Sequence, residues 1–319
     1  MKKYLVLDIG GTKTTAVIFG DNDTPLTPFI KNRSRTYEGE DAVFRNTVSC
    51  GYEALKAAGL CASDISGIGV AAPGPLDYLT GKIIDVPMMG WKDFPLGDLL
   101  NEEFGVPVMI ENDGNLGALA EANVGEAVGK KIVLYQTIST GCGGGIAVNG
   151  EIFHGKHGYA GEFGHVSINF DGIPCGCGNN GCFETYASGT ALKARMKRDM
   201  QKKVNSSVFE AAGYDPDNLN GGILAESAAD GDSYALRMFE EEGTLIGTGL
   251  ANLLNVFDPD AIVLAGGVMK AHEYFWNSMM ETVRRKTCFP VDDGTIRLSK
   301  LNDDAVAWGA YVMIKRGMS

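Results

Sequence analysis

The run Lys3 to Ile9, the pair Gly10-Gly11 and the run Thr14 to Phe19 read as a strand, a glycine turn and a second strand. The same unit returns further on as Lys131 to Ile138, the glycine-rich turn Ser139 to Gly145, and Ile146 to Val148. Repetition of one strand, loop, strand unit predicts a duplicated two-lobe architecture with the loops facing each other across a cleft. Between and beyond the repeats, strand-like and helix-like stretches alternate, which favours an α/β layout over all-α or all-β. A helical pattern spans about Asp41 to Ala58, a strand Ile65 to Ala71 ends at Pro73-Gly74-Pro75, and a strand Val106 to Ile110 leads into Glu111-Asn112-Asp113. Leu116, Leu119, Ala120, Val124 and Ala127 then recur at helical spacing, so a helix is expected to start near Asp113. Ser233 to Asn255 reads as a long helix, Ala261 to Ala265 as a strand before Gly266-Gly267, and Asp304 to Lys315 as a last helix. The polar stretch Gln201 to Gly222 is expected to be a mobile surface loop.

At 319 residues and 45% hydrophobic content, the chain can bury one large core or two ordinary ones, and two lobes are expected. A formal net charge of −12 argues against nucleic acid or an anionic membrane as partner, because phosphate-rich surfaces need a basic face. The opening MKKYLVLDIGGTKTTAVIF is interrupted by Asp8 and Gly-Gly-Thr-Lys too early for a signal peptide, and no apolar run reaches the ~20 residues of a membrane span. Seven cysteines, an odd number in a chain that needs no staples, fit a reducing cytoplasm.

Asp8 to Thr14 closes one strand and opens the next, so Gly10 and Gly11 let backbone N–H groups approach an anion while Thr12 and Thr14 add hydroxyls. It is not a P-loop, since the GxxxxGK[ST] spacing is missing. A glycine hairpin with no ligand is the plain alternative. Thr140 to Gly145 is a second such cradle and Leu264 to Val268 a third glycine-rich loop. Three at strand ends point to a nucleotide. Asp113 is placed either to cap its helix or to take the proton from a hydroxyl attacking a γ-phosphoryl group. Phosphoryl transfer calls for Mg²⁺, with Asp8 the nearest acid to orient it, through water.

From Glu162 to Glu184, His165, Cys175, Cys177 and Cys182 follow the spacing His-X9-Cys-X-Cys-X4-Cys, with three glycines between the first and last cysteine. That spacing suits a structural zinc whose four protein ligands close the shell; a disulfide cluster, free thiols and a catalytic zinc are the alternatives. A polyol would find donors and acceptors in Asn112, Glu162, His165 and Glu184, with one His165 nitrogen on metal and the other toward substrate.

The ordered set DIGGTKTTAVIF, ENDGNLGALAE, GYAGEFGH, CGCGNNGCFE, LNVFDPDAIVLAGGV and DDAVAWGA resembles the ROK family of sugar kinases and sugar-responsive repressors across essentially the whole chain. The resemblance implies the actin-like (ribonuclease H-like) α/β sugar kinase fold. Residues 1–115 with the C-terminal helix 304–319 would form a small lobe, and 116–303 a large lobe holding the zinc segment 165–182. It implies Asp113 as catalytic base, and Gly74, Asn112, Asp113, Glu162, His165 and Glu184 as sugar-binding residues. Asp8, Gly10, Gly11, Thr12, Lys13, Thr140, Gly141, Gly143 and Gly144 would attend the ATP phosphates and Mg²⁺, and Gly266 and Gly267 the adenosine. His165, Cys175, Cys177 and Cys182 would bind zinc. Three departures stand out: Ala265 where glycine is common, Cys142 inside the second phosphate loop where oxidation would inhibit, and Met88-Met89 before Gly90-Trp91 in the sugar-side stretch.

The expected activity is ATP-dependent phosphorylation of a hexose 6-hydroxyl, glucose first, with N-acetylmannosamine, N-acetylglucosamine, fructose and allose as alternatives, by a cytoplasmic homodimer. A DNA-binding repressor would need a helix-turn-helix ahead of the first strand, which here begins at Lys3. A non-catalytic sugar binder would lack the base or the phosphate loops.

Overall fold

The computed structural model describes residues 2–318, which divide into two compact units: 2–133, 145–161 and 300–318 in the first, 134–144 and 162–299 in the second. The first unit is built on β1 (Lys3–Ile9), β2 (Lys13–Gly20), β3 (Thr24–Pro25), β4 (Ile30–Arg33), α1 (Glu40–Ala57) and β5 (Gly67–Ala72). A small antiparallel sheet of β6 (Leu76–Asp77), β7 (Lys82–Val86) and β8 (Trp91–Phe94) follows, then α2 (Leu96–Phe104), β9 (Val108–Asn112) and α3 (Asp113–Asn123). The main sheet runs β3-β2-β1-β5-β9, with β4 also on β2; β1 and β2 are antiparallel, and β5 lies parallel to both β1 and β9. Side chains of a strand alternate between faces. Leu5, Leu7 and Ile9 therefore join a core with α1 and α2, while Tyr4 and Val6 join a second core with Leu116, Ala310 and Tyr311.

The second sequence repeat supplies β10 (Ile132–Ile138), β11 (Cys142–Val148) and β12 (Glu151–Ile152). The second unit continues through α4 (Glu184–Ala187), α5 (Gly189–Gln201), α6 (Ser207–Ala211), α7 (Gly221–Ala229), α8 (Ser233–Phe257), β13 (Ala261–Ala265), α9 (Trp276–Lys286) and β14 (Ile296–Leu298). Its strands β10, β13 and β14 neighbour one another in that order. The closing helix α10 (Ala305–Gly317) belongs to the first unit.

Three expectations need correction. The glycines expected to form a turn up to Gly145 lie largely within β11, which begins at Cys142. Glycine inside a strand marks close backbone approach; a Cβ on Gly145 would stand 2.2 Å from the Gly114 carbonyl oxygen. The stretch 201–222, expected as a mobile loop, contains α6 and the start of α7, capped by Ser206 and Asn220 and anchored by buried Val208, Phe209 and Leu219. The first unit also extends past the expected division at residue 115, because α3 is held against α10: a Cβ on Gly309 would lie 2.0 Å from the Leu116 carbonyl oxygen. Gly69 serves the same helix, since its Cβ would meet the Ala310 oxygen at 2.3 Å.

Candidate active site

In the first unit the parallel strands β1, β5 and β9 end in register, with Asp8 beside Ala71 and Ala72 beside Asn112. In such sheets ligands bind outside the carboxyl ends of the strands. Asp8, Gly10 to Lys13, Gly74, Asn112 and Asp113 all stand at that edge. Asn112 caps α3, its Oδ1 accepting from Gly114 N at 2.9 Å, which leaves its amide nitrogen free of this cap. Asp113 Oδ1 accepts from the same N–H at 2.8 Å. Asp113 is still reached by solvent, yet protein crowds it on enough sides that burial raises its pKa above the usual carboxylate range. Asp8 is pushed up to about 7, first by burial and then by the charge of Asp113.

Gly74 follows β5, where a Cβ would come within 3.3 Å of Asn112 Nδ2, so glycine keeps that amide uncrowded. Gly11 faces Met88, whose Cε would be 2.9 Å from an added Cβ; the unusual methionine thus lies against the first glycine-rich loop. Lys13 pairs with Asp303 at 3.9 Å on the exposed surface, a weak interaction that a ligand can readily displace.

In the second unit Thr140, Gly141, Gly143 and Gly144 lie in the turn and opening of β11. Glu184, read from sequence only as a sugar ligand, also holds this loop: its Oε2 accepts from Cys142 N at 2.9 Å. Gly141 is required for that contact, as a Cβ there would be 2.4 Å from the same oxygen. Gly164 lets the Glu162–His165 segment pass the loop, since its Cβ would lie 2.1 Å from the Cys142 carbonyl. Gly266 adopts φ 99° beside Ile138, where only glycine fits without strain. Gly267, Thr140, Gly189, Gly222, Val268 and Ala271 line a cavity of about 530 Å³.

Cys142 is buried, and burial, then the charges of Glu184 and Glu242, raises its thiol pKa far above the ordinary value. Burial of this kind disfavours the reactive thiolate, which argues against oxidation there.

The four residues of the cysteine-rich segment converge, their ligand atoms all within 4.8 Å of one another. His165 Nδ1 lies 3.7 Å from Cys175 Sγ, and Cys177 Sγ 3.6 Å from Cys182 Sγ. The other ring nitrogen, Nε2, faces Glu162 at 4.0 Å. Left-handed Gly181, at φ 71°, turns the chain where any Cβ would collide with Asn169 O. The group could hold a metal ion.

Sequence reading missed the partner of Glu111. This carboxylate is 3% exposed and reaches His154 Nε2 at 2.6 Å. Strand alternation, which turns Glu111 away from Asn112, was the available signal.

Two α/β units, glycine loops after their strands and carboxylates at the parallel strand ends make the actin-like sugar kinase fold. A glucokinase from Halalkalibacterium halodurans is 34% identical over 316 residues, covering 98% of this chain and 95% of that protein. The crystal structure of a ROK family glucokinase from Streptomyces griseus in complex with glucose and AMPPNP superposes with a TM-score of 0.82 at 29% identity, covering 98% of each chain. A xylose repressor from Bacillus spizizenii is 36% identical over 217 residues, 68% of this chain and 52% of that longer protein. The ROK family model matches residues 4–317. The chain belongs to the ROK family.

Proposed function

We propose that this protein is an ATP-dependent sugar kinase that transfers the γ-phosphoryl group to the 6-hydroxyl of a hexose, glucose first. The observation that carries the reading is Asp113 at the start of α3, just beyond the carboxyl end of β9, with one carboxylate oxygen accepting from Gly114 N. The untied oxygen takes the proton of the sugar hydroxyl as that oxygen attacks the γ-phosphorus and ADP leaves. A raised pKa improves proton acceptance provided the group is ionised at working pH. The rest of the catalysis is positioning and charge neutralisation.

In this reading the sugar is held by Asn112, Glu162, His165 Nε2 and Glu184, with Gly74 beside Asn112. The N–H groups and hydroxyl of Gly10, Gly11 and Thr12, with Lys13, and the loop of Thr140, Gly141, Gly143 and Gly144 cradle the phosphates. Gly266 and Gly267 back the adenosine, for which the cavity of about 530 Å³ has the size and lining. AMPPNP in the Streptomyces griseus relative supports ATP as donor. Asp8 would hold Mg²⁺ through water; the mutual repulsion of Asp8 and Asp113 is relieved by a cation, which supports this assignment. Bound there, Mg²⁺ would neutralise phosphate charge.

Zinc fits the His165, Cys175, Cys177 and Cys182 group. Thiolates bound at about 2.3 Å to one tetrahedral zinc lie roughly 3.8 Å apart, and the Cys177 to Cys182 separation is 3.6 Å. Burial and the neighbouring thiols push Cys182 up to about 12, a strain that a cation removes. The zinc would orient His165 so that Nε2 meets substrate, without taking part in the chemistry.

Glucose is supported by the named activity of the relatives; N-acetylmannosamine, N-acetylglucosamine, fructose and allose remain the competing substrates. A homodimer in the cytoplasm is the expected setting, and light scattering tests the assembly. The similarity to a xylose repressor favours a sugar-responsive regulator as second reading. Coupled ADP release over a hexose panel separates the two, since a pure regulator binds sugar without turnover.

A further inference from the structure

We infer that His154 and Glu111 are positioning residues for the Asn112-Asp113 junction, an assignment that rests on the kinase reading above. Glu111 is the last buried side chain of β9 before the helix, and each of its oxygens is used. Oε1 accepts from Asn112 N at 2.8 Å and from Asn115 Nδ2 at 3.0 Å, so it spans the change from strand to helix. Oε2 receives His154 Nε2 at 2.6 Å, which requires the proton on that nitrogen.

The ring of His154 is itself fixed. It stacks on Tyr78 with centroids 3.8 Å apart and planes 8° from parallel. Its loop is fastened at Gly150, whose carbonyl accepts from Asn123 Nδ2 and Arg316 Nη1, both at 2.9 Å. Tyr78, Glu111, His154 and Arg316 border a cavity of about 740 Å³ whose lining does not include Asp113. Without the His154 donor, a carboxylate buried to 3% exposure loses its strongest partner and is free to turn. Asn112 N then loses its acceptor. The base that follows one residue later loses its aim, and about 1 Å of misplacement can cost ~100-fold in rate.

His154→Phe keeps the stack on Tyr78 and removes the hydrogen bond, whereas His154→Gln keeps a donor. The expected result is a kcat lowered by about 10- to 100-fold in His154→Phe, with the ATP KM unchanged and most of the rate restored in His154→Gln. NMR hydrogen exchange should show the Asn112 amide exchanging faster in His154→Phe while α8 amides keep their protection. Should His154→Phe not fold, His154→Ala, a truncation at a largely exposed loop, bears the same expectations. Wild-type kcat, unchanged Asn112 exchange, or a rate loss that His154→Gln does not relieve would each overturn the assignment. Exchange needs no turnover, so a wild-type protein inactive on every sugar would refute the kinase reading while leaving the relay to be judged on its own.

Discussion

At Asp113 one carboxylate oxygen is already committed to the Gly114 amide, so the residue has a single free oxygen and a fixed direction for proton acceptance. Asp113→Asn should lower kcat by about 10²–10⁴-fold while calorimetry still detects sugar binding; near wild-type turnover would remove it as the base. Asp8 makes a prediction of opposite sign for stability. Its pKa rises from 3.8 to about 7 on folding, so the native state binds more protons between those values and loses stability as pH increases through them. Asp8→Asn should therefore denature later than the wild type at pH 8, by at most about 4 kcal/mol, with the advantage vanishing toward pH 4, and should impair catalysis. An advantage that grew on acidification would contradict this. Cys142 should stay unmodified when the folded protein is treated with iodoacetamide, while exposed Cys61 and Cys288 react; peptide mapping reads the difference, and early labelling of Cys142 would restore it as a redox-sensitive position.

Among the elements, the cysteine-rich segment gives the clearest separate test. Chelation of its metal should disorder residues 162–184 and weaken sugar binding before ATP binding, and metal analysis should return about one zinc per chain. Equal loss of both affinities would mean that the metal supports the whole unit. How much of this was legible follows the strength of local patterns. The strands β1, β2, β9 and β13 and the helix α8 announced themselves by apolar runs and periodicity, and a polar residue before an apolar period announced the start of α3, although the cap is Asn112 and not Asp113 as expected. The glycines of β11 were read as a turn because their role, letting Gly114 and Glu162–His165 pass closely, is long-range and leaves no local trace. α6 was hidden by polar neighbours; only Val208 and Phe209 face the core. Site residues borne on motifs, Asp113 and the four candidate metal ligands, could be named from sequence. The Glu184 bond to Cys142 N and the Glu111–His154 pair could not, since each joins segments about 40 positions apart, 42 and 43 residues respectively.

For the whole molecule, the proposed reaction assigns a use to each feature of the candidate site. In the proposed reading, an acidic chain of net charge −12 would draw on backbone N–H groups and Mg²⁺ rather than on a basic surface to hold a polyphosphate. No helix among the described residues is long and apolar enough to cross a membrane. The match to the ROK family over residues 4–317 spans both compact units. The most direct measurement is ADP release by the purified protein with ATP and Mg²⁺ over a panel of glucose, N-acetylmannosamine, N-acetylglucosamine, fructose and allose. The account predicts sugar-dependent turnover, fastest with glucose and yielding the 6-phosphate; absence of turnover with every sugar would contradict it.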